Sequence, residues 1–322
     1  MCRYYSLLLC LTFTLCISAP MHGAEKKGAF PNKPIRFIVP YQAGAGADMT
    51  VRAITPYLEK HLGVRVIIEN RPGADARLGT AVGWRSTPDG YTLTFAGLPA
   101  PIITEKLSEV SYRTKEFTHI FAWQLENECL IVNADVFKST NEFMNEARSR
   151  TIVGGHSGFG SVGQLAGLAL ASAFGFKPVN WIPFQGGVEM INSLAGKHID
   201  FGVTTNSSAR ALVHAGKLRV ALVLSYEKDS VFPSAPLLGD FDFKMTPMPI
   251  LRGVFAPPGL PKHEATVLEQ AFAKAAREPG FLKWAKNAGV EIVSVNHEQF
   301  LNYTISVEKV VMEYLDKMKT KQ

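Results

Sequence analysis

The sequence predicts an α/β protein of two similar α/β domains with a ligand cleft between them, on three observations. Short apolar strand-like runs alternate with amphipathic helix-like runs from Ile35 onward, the order of a sheet covered by helices on both faces. Loops built almost entirely of small residues stand where a strand passes into a helix. The scheme restarts near Thr151, so a second set of such loops falls at equivalent strand ends, where open α/β sheets bind their ligands.

Residues 36–39 read as the first strand. It runs into Ala43-Gly44-Ala45-Gly46-Ala47, with Asp48 the expected N-cap of a helix that lines up Val51, Ile54, Leu58 and Leu62 on one face. Pro56 either kinks this helix or restarts it behind a Thr55 cap. Residues 65–69 form the second strand, 70–79 a second small-residue loop and 80–85 a helix. Ser86-Thr-Pro-Asp-Gly90 is a turn, followed by a third strand at 91–95. This βαβαβ order predicts a mostly parallel sheet. Residues 98–117 read as irregular. The second half offers strands at 129–133, 151–156, 179–183, 201–204 and 220–224, with helices at 139–148, 164–174, 188–195 and 207–215. Amphipathic helices at 266–277 and 298–319 close the chain.

The loops carry the chemistry. Small residues let backbone N–H groups approach a guest, and a helix start adds unpaired donors and a partial positive charge. A carboxylate or phosphate is the matching guest. Gly158-Phe-Gly160-Ser-Val-Gly163 fits the dinucleotide pattern G-x-G-x-x-G, which makes an enzyme binding NAD the rival reading. No acidic residue follows about 20 positions on to take a ribose; Trp181-Ile-Pro-Phe-Gln stands there. Gly155-His-Ser157-Gly-Phe159 misses the nucleophile elbow at its last position. The histidines at 119, 156, 198 and 214 lack ligand spacing, so neither a metal nor a cofactor is expected, and no catalysis.

Hydrophobic content of 47% against 19% charge describes a globular chain, and 322 residues suffice for two domains. No Lys/Arg cluster interleaves with aromatics, which argues against nucleic acid. The start reads as a cleaved secretory signal over 1–24: Arg3 precedes an apolar core at 7–17, and Gly23-Ala24 is the better of two cleavage sites because Pro20 follows the other. Leu15 before Cys16 argues against lipidation. Removing the signal leaves a charge of +5 in place of +6, and Cys129 as the lone cysteine, expected to be buried.

Together these residues resemble the substrate-binding proteins of tripartite tricarboxylate transporters, the Bug family of periplasmic receptors. The match runs from Phe30-Pro-Asn-Lys-Pro-Ile-Arg-Phe-Ile-Val-Pro-Tyr41 through the loop 44–48, Glu69-Asn-Arg-Pro-Gly-Ala74 and Pro88-Asp-Gly-Tyr-Thr-Leu93. It continues with 158–164, Pro183-Phe-Gln-Gly186, Ala215-Gly-Lys-Leu-Arg219 and Gly253-Val-Phe-Ala-Pro-Pro-Gly259. The resemblance implies a type II periplasmic-binding-protein fold, with domain 1 at 25–125 plus 250–322 and domain 2 at 126–249. It implies a monomer in the periplasm that binds a small carboxylate through loop amides, hydroxyls and waters, often without a charged partner. Permease subunits in the membrane are the implied partners; a sensor feeding a signalling partner is the alternative.

Carried over, ligand contacts fall on Tyr41, Ala43, Gly44, Ala45 and Asp48, on Ala74, Asp75, Ala76 and Arg77, and on Ser157, Gly160, Ser161, Gln164, Phe184 and Thr204. The chain departs from the family pattern where Asp75-Ala76 replaces Gly-Gly and Arg77 a small or polar residue. Gly163-Gln164 replaces Thr-His, and the acidic residue often found near Thr204 is missing. Arg77 is expected to meet a ligand carboxylate or to pair with Asp75.

Overall fold

Strand β1 (Ile35–Val39) is apolar and almost wholly buried, and everything in the first half is laid beside it. A computed structural model describes residues 30–319 apart from 75, 159, 185 and 243; the signal segment and Asp75 lie outside the described residues. Helix α1 (Gly46–Leu62) follows, then β2 (Val66–Asn70), α2 (Arg77–Trp84), β3 (Thr92–Leu98) and α3 (Ala100–Leu107). Strand β4 (Thr118–Glu126) passes at Asn127 directly into β5 (Glu128–Asn133), where the second half begins. It continues with α4 (Thr140–Ser149), β6 (Ile152–His156), α5 (Val162–Phe174), β7 (Val179–Pro183) and α6 (Gly187–Ala195). Strand β8 (Phe201–Thr205), α7 (Asn206–His214) and β9 (Leu218–Val223) complete it. The chain then returns to β10 (Ile250–Ala256), α8 (Lys262–Ala275), α9 (Pro279–Ala288), β11 (Glu291–Val295) and α10 (His297–Lys319).

The strands form two sheets, ordered β11-β4-β10-β3-β1-β2 and β7-β6-β8-β5-β9. Both are mixed, which corrects the expectation of a mostly parallel sheet. Strand β1 pairs parallel with β2 and β3, but β10 is antiparallel to β3 and β4. In the other sheet β6 pairs parallel with β7 and β8, while β5 runs against β8 and β9. The antiparallel members are β5, which enters the second half, and β10 and β11, which follow the return to the first, and no βαβ unit forces their direction.

Three further readings are corrected. The stretch 98–117 contains α3, whose Ile102 and Ile103 are buried; its Pro99-Ala-Pro start hides a helix because prolines are tolerated only in the first turn. Helix α1 continues through Pro56 and does not restart behind a Thr55 cap; Pro56 is exposed, so the carbonyl left without its N–H can turn to water. Its N-cap is Ala45, and Asp48 is the third helical residue. The buried stripe Val51, Ile54, Leu58 and Leu62 is as the periodicity predicts, each fully buried side chain stabilising by roughly 1.5–3 kcal/mol.

One apolar cluster crosses from sheet to sheet. It joins Leu98 and Ile102, through Phe255 and Phe300, to Leu165, Leu170 and Phe201. Helix α10 lies along this seam, and its Tyr303 and Tyr314 hydroxyls donate to the carbonyls of Pro249 and Thr246 on the returning segment. Among the described residues no helix is long and apolar enough to cross a membrane.

Candidate ligand-binding cleft

The two Gly-rich loops are closed by one device. Gly44 and Gly160 both take left-handed backbone, with φ of 82° and 73°, which glycine adopts without strain. The next residues, Ala45 and Ser161, are the N-caps of α1 and α5. The third helical residue then reaches back: Asp48 Oδ2 accepts from the Gly44 N–H at 2.8 Å, and Gln164 Oε1 from the Gly160 N–H at 2.7 Å. Ser161 Oγ in turn accepts from the Gln164 N–H at 3.1 Å. Asp48 and Gln164 thus shape the loops with their side-chain oxygens.

The helix starts between these clamps stay available. The amides of Gly46, Ala47 and Asp48 in α1, and of Val162 and Gly163 in α5, have no hydrogen-bond partner among the described residues. Each helix end also carries roughly half a positive charge. Asp48 is 1% exposed and saturated: Arg52 Nε donates to it at 2.7 Å and Asn70 Nδ2 at 2.9 Å. Burial raises its carboxyl, but the hydrogen bonds from Arg52, Gly44 and Asn70 prevail and hold it below the usual carboxylate range.

The remaining predicted contacts distribute around this pair. Tyr41 packs edge-on against Phe95, and its carbonyl accepts from Asn70. Ala43 is exposed on the first loop. Ala74 and Ala76 take positive φ, 48° and 68°, in the second loop, and Ala76 stands at one of the two positions where the family pattern has glycine. Arg77 opens α2 and folds back on its own loop, its Nε donating to the Ala74 carbonyl at 2.8 Å. It lies near Tyr112, whose phenol is pushed up by burial, Glu105 and Tyr41 and lowered by Arg77. Ser157 is half-buried beyond β6, and the Phe184 N–H donates to the His156 carbonyl. Thr204 is buried with its hydroxyl toward the start of α6, near Gly187. Leu107 of α3 reaches toward Gly160, bringing the first half against the second loop.

Sequence reasoning missed the floor of the cleft. Strand β4 runs alongside β3 in direction, so Glu126 ends on the edge where β1 and β3 end. Glu128 opens β5 and is the register partner of Thr205 at the end of β8. Arg252 of β10 pairs across the sheet with Gly97 and Gln124. Its guanidinium lies 3.4 Å from where a Cβ on Gly46 would stand, at the start of α1, and 2.5 Å from Glu126 Oε2. Glu128 Oε2 stands 3.6 Å from the Cβ position of Gly163, at the start of α5.

This floor is buried and underused. Arg252 is 13% exposed in its side chain and Glu126 1%. Both Glu126 oxygens, Glu128 Oε2 and the Gln124 amide make no hydrogen bond of good geometry with the described residues. Burial, then the charge of Glu126, push the Glu128 carboxyl up to about 8, with Arg252 opposing. The signal was present in the sequence: Glu-Asn-Glu interrupts an apolar run at 120–132, and Arg252 is the lone charge in 248–256. A separate surface concavity of about 450 Å³, lined by Ala134, His214, Val220 and Phe232, lies at the opposite end of the second sheet.

Comparison with known proteins agrees with this architecture. The profile of the tripartite tricarboxylate transporter family receptors matches residues 50–315. A UPF0065 protein of Bordetella pertussis is 26% identical over 91% of this chain and 90% of its own. The crystal structure of a TctC solute binding protein from Polaromonas superimposes with a TM-score of 0.76 at 26% identity, covering 89% of this chain and 99% of that one. MatC from Rhodopseudomonas palustris, solved with bound malate, shares the fold at a TM-score of 0.72 and 24% identity, over 89% and 98% of the two chains. Fold, loop architecture and family profile coincide: the chain belongs to the tripartite tricarboxylate transporter family of receptors.

Proposed function

We propose that this chain is a periplasmic solute receptor that captures a small organic acid between its two sheets and delivers it to the membrane subunits of a tripartite tricarboxylate-type transporter. The observation that carries the reading is the pair of identically clamped helix starts, α1 and α5, with open amides at the carboxyl ends of the strands. A MatC relative holding malate supports the ligand class. The reading divides the chain into 25–125 plus 250–322 and 126–249, with crossings at Asn127 and along the return to β10, and closes these lobes by hinge motion. It places Ala43, Ala45, Ser157, Gly160 and Ser161 at the guest together with the edges of Tyr41, Phe184 and Thr204. Asp48 and Gln164 contribute backbone and loop shape. Arg77 sits at the rim, poised with Ala74 and Ala76.

Mass spectrometry of small molecules released from natively purified protein, with a thermal-shift panel of mono- and dicarboxylates, tests the proposal. A true ligand at a hundredfold excess over Kd stabilises by roughly 2.7 kcal/mol. A response to NAD alone would replace the receptor by a dinucleotide site on the loop 158–163.

A further inference from the structure

The two halves are joined differently on their two faces. On the face carrying α5 and α10 they share one apolar core. Neighbouring residues of β5 point to opposite sides, so Leu130 and Val132 enter that core while Cys129 and Ile131 face the other way. On this other face the cores are separate. One cluster, with Val51, Phe272 and Phe281, lies in the first half, and another, with Ile131, Leu194 and Ala209, in the second. Among the described residues no buried apolar cluster bridges them there, and polar contacts cross the gap instead. Arg210 of α7 lays its stem over Gly289, its Cδ and Nε filling the space that a Cβ on this glycine would need. Its Nη1 donates to the Asn287 carbonyl at 2.7 Å. Gly289 is the left-handed C-cap of α9, so the guanidinium meets the carbonyl end of that helix, where a cation is favoured. Two residues on, Glu291 Oε2 accepts from Ser230 Oγ at 3.0 Å.

Both contacts are aimed from the crossing between the halves. Asp229, 1% exposed, accepts from Asn127 Nδ2 at 3.0 Å and from Asn206 Nδ2 at 2.8 Å, and its other oxygen accepts from the amides of Val231 and Phe232. One buried carboxyl group thereby ties the crossing residue to the first residue of α7, which carries Arg210, and to the turn that carries Ser230. We propose that Arg210 and Ser230 form a polar latch on the end of α9 and the start of β11, held in place by Asp229 beside Asn127, and that this latch sets the angle between the two halves. This rests on the two-lobe receptor reading and adds the contact that fixes its geometry. Arg210 is a positioning residue: its guanidinium is bound to the α9 carbonyl, and it acts on a guest by fixing where α5 stands relative to α1. The latch is polar and partly exposed, so water can replace it, and it yields where the apolar seam does not.

Pulsed electron paramagnetic resonance on the mature protein tests this without any solute. Spin labels go on Asn192→Cys in α6 and Lys283→Cys in α9, both exposed and in different halves, while the buried Cys129 stays unlabelled. The otherwise unmodified chain is expected to give one narrow distance distribution. Arg210→Ala should shift the balance toward longer distances by roughly five- to tenfold, the worth of one partly exposed, charge-assisted hydrogen bond, with unchanged circular dichroism. Ser230→Ala should act in the same direction and less. Arg210→Lys keeps a cation at the α9 carbonyls and should restore the narrow distribution. An Arg210→Ala distribution that coincides with the unmodified one, or a broadening that Arg210→Lys leaves in place, overturns the latch and leaves the receptor reading standing. The carboxylate panel decides that reading on its own.

Discussion

Asp48 and Gln164 occupy the same position in two different helices, each the third residue, each accepting from the N–H of a left-handed glycine four residues earlier. One is charged and buried, the other neutral and half-buried. Their contributions to stability should differ accordingly. Asp48→Asn removes the charged acceptor shared by Arg52, Asn70 and the Gly44 N–H and should cost roughly 2–3 kcal/mol at pH 7, against about 1 kcal/mol for Gln164→Ala. The Asp48 carboxyl lies below its ordinary 3.8 in the folded chain, so its contribution is full above that value and fades as pH falls below it. Urea midpoints at pH 7 and pH 3 check this; a gap between the two variants that does not narrow in acid refutes it.

Glu128 acts in the opposite direction. Its folded pKa of about 8 exceeds the ordinary 4.5, so the stability linked to it is full below 4.5 and is lost as pH rises through 8. Glu128→Gln carries no such loss. The variant should be more stable than wild type by roughly 2–3 kcal/mol at pH 7 and nearly equal at pH 4.5. Denaturation at both pH values decides it: equal differences would show Glu128 to be ionised in the folded protein.

His119 sets an acid limit. It is buried between Phe255 and Phe300, with Nδ1 2.9 Å from the Phe117 carbonyl and Nε2 2.8 Å from the Thr304 hydroxyl. Burial lowers it from 6.5 to about 4, with the Phe117 hydrogen bond opposing. The unfolded chain therefore takes up a proton that the folded chain refuses, and stability falls as pH drops from 6.5 towards 4, by roughly 2–3 kcal/mol. His156, lowered mainly by burial, adds in the same direction. His119→Gln should flatten this part of the pH profile of Tm, and an unchanged slope would remove His119 as its source.

Gly163→Ala probes the α5 clamp. An added Cβ would stand 2.6 Å from the Val203 carbonyl oxygen, and backbone lies on both sides of that contact. The start of α5 must shift away from β8, at a cost of roughly 1–3 kcal/mol. Ligand affinity should fall with it, because Gln164 and the Gly160 loop move as one piece. A variant with wild-type Tm and affinity would mean that the loop is freer than its packing indicates.

The periodic elements were readable because each rests on a local signal. The stripe of α1 and the burial of Cys129 followed from residue type and spacing. Strand directions were not legible, because those of β5 and β10 are set by chain crossings between sheets. Helix α3 was masked by its two prolines. The loops of the cleft could be placed by their glycines, but its floor is assembled from Glu126 and Glu128 with Arg252, which stands far along the chain and meets them only through strand pairing. A charge inside an apolar strand was the available clue.

The apolar seam under α10 sets how such a protein can move. Leu98, Phe255, Phe300 and Leu165 belong to one continuous core, and Tyr303 and Tyr314 moor the helix to the returning segment. A wide gape would wet this seam, at roughly 2.5 kcal/mol for each 100 Å² uncovered. Any hinge motion that closes the two halves must therefore pivot with this seam intact and open only the edge where α1 and α5 begin.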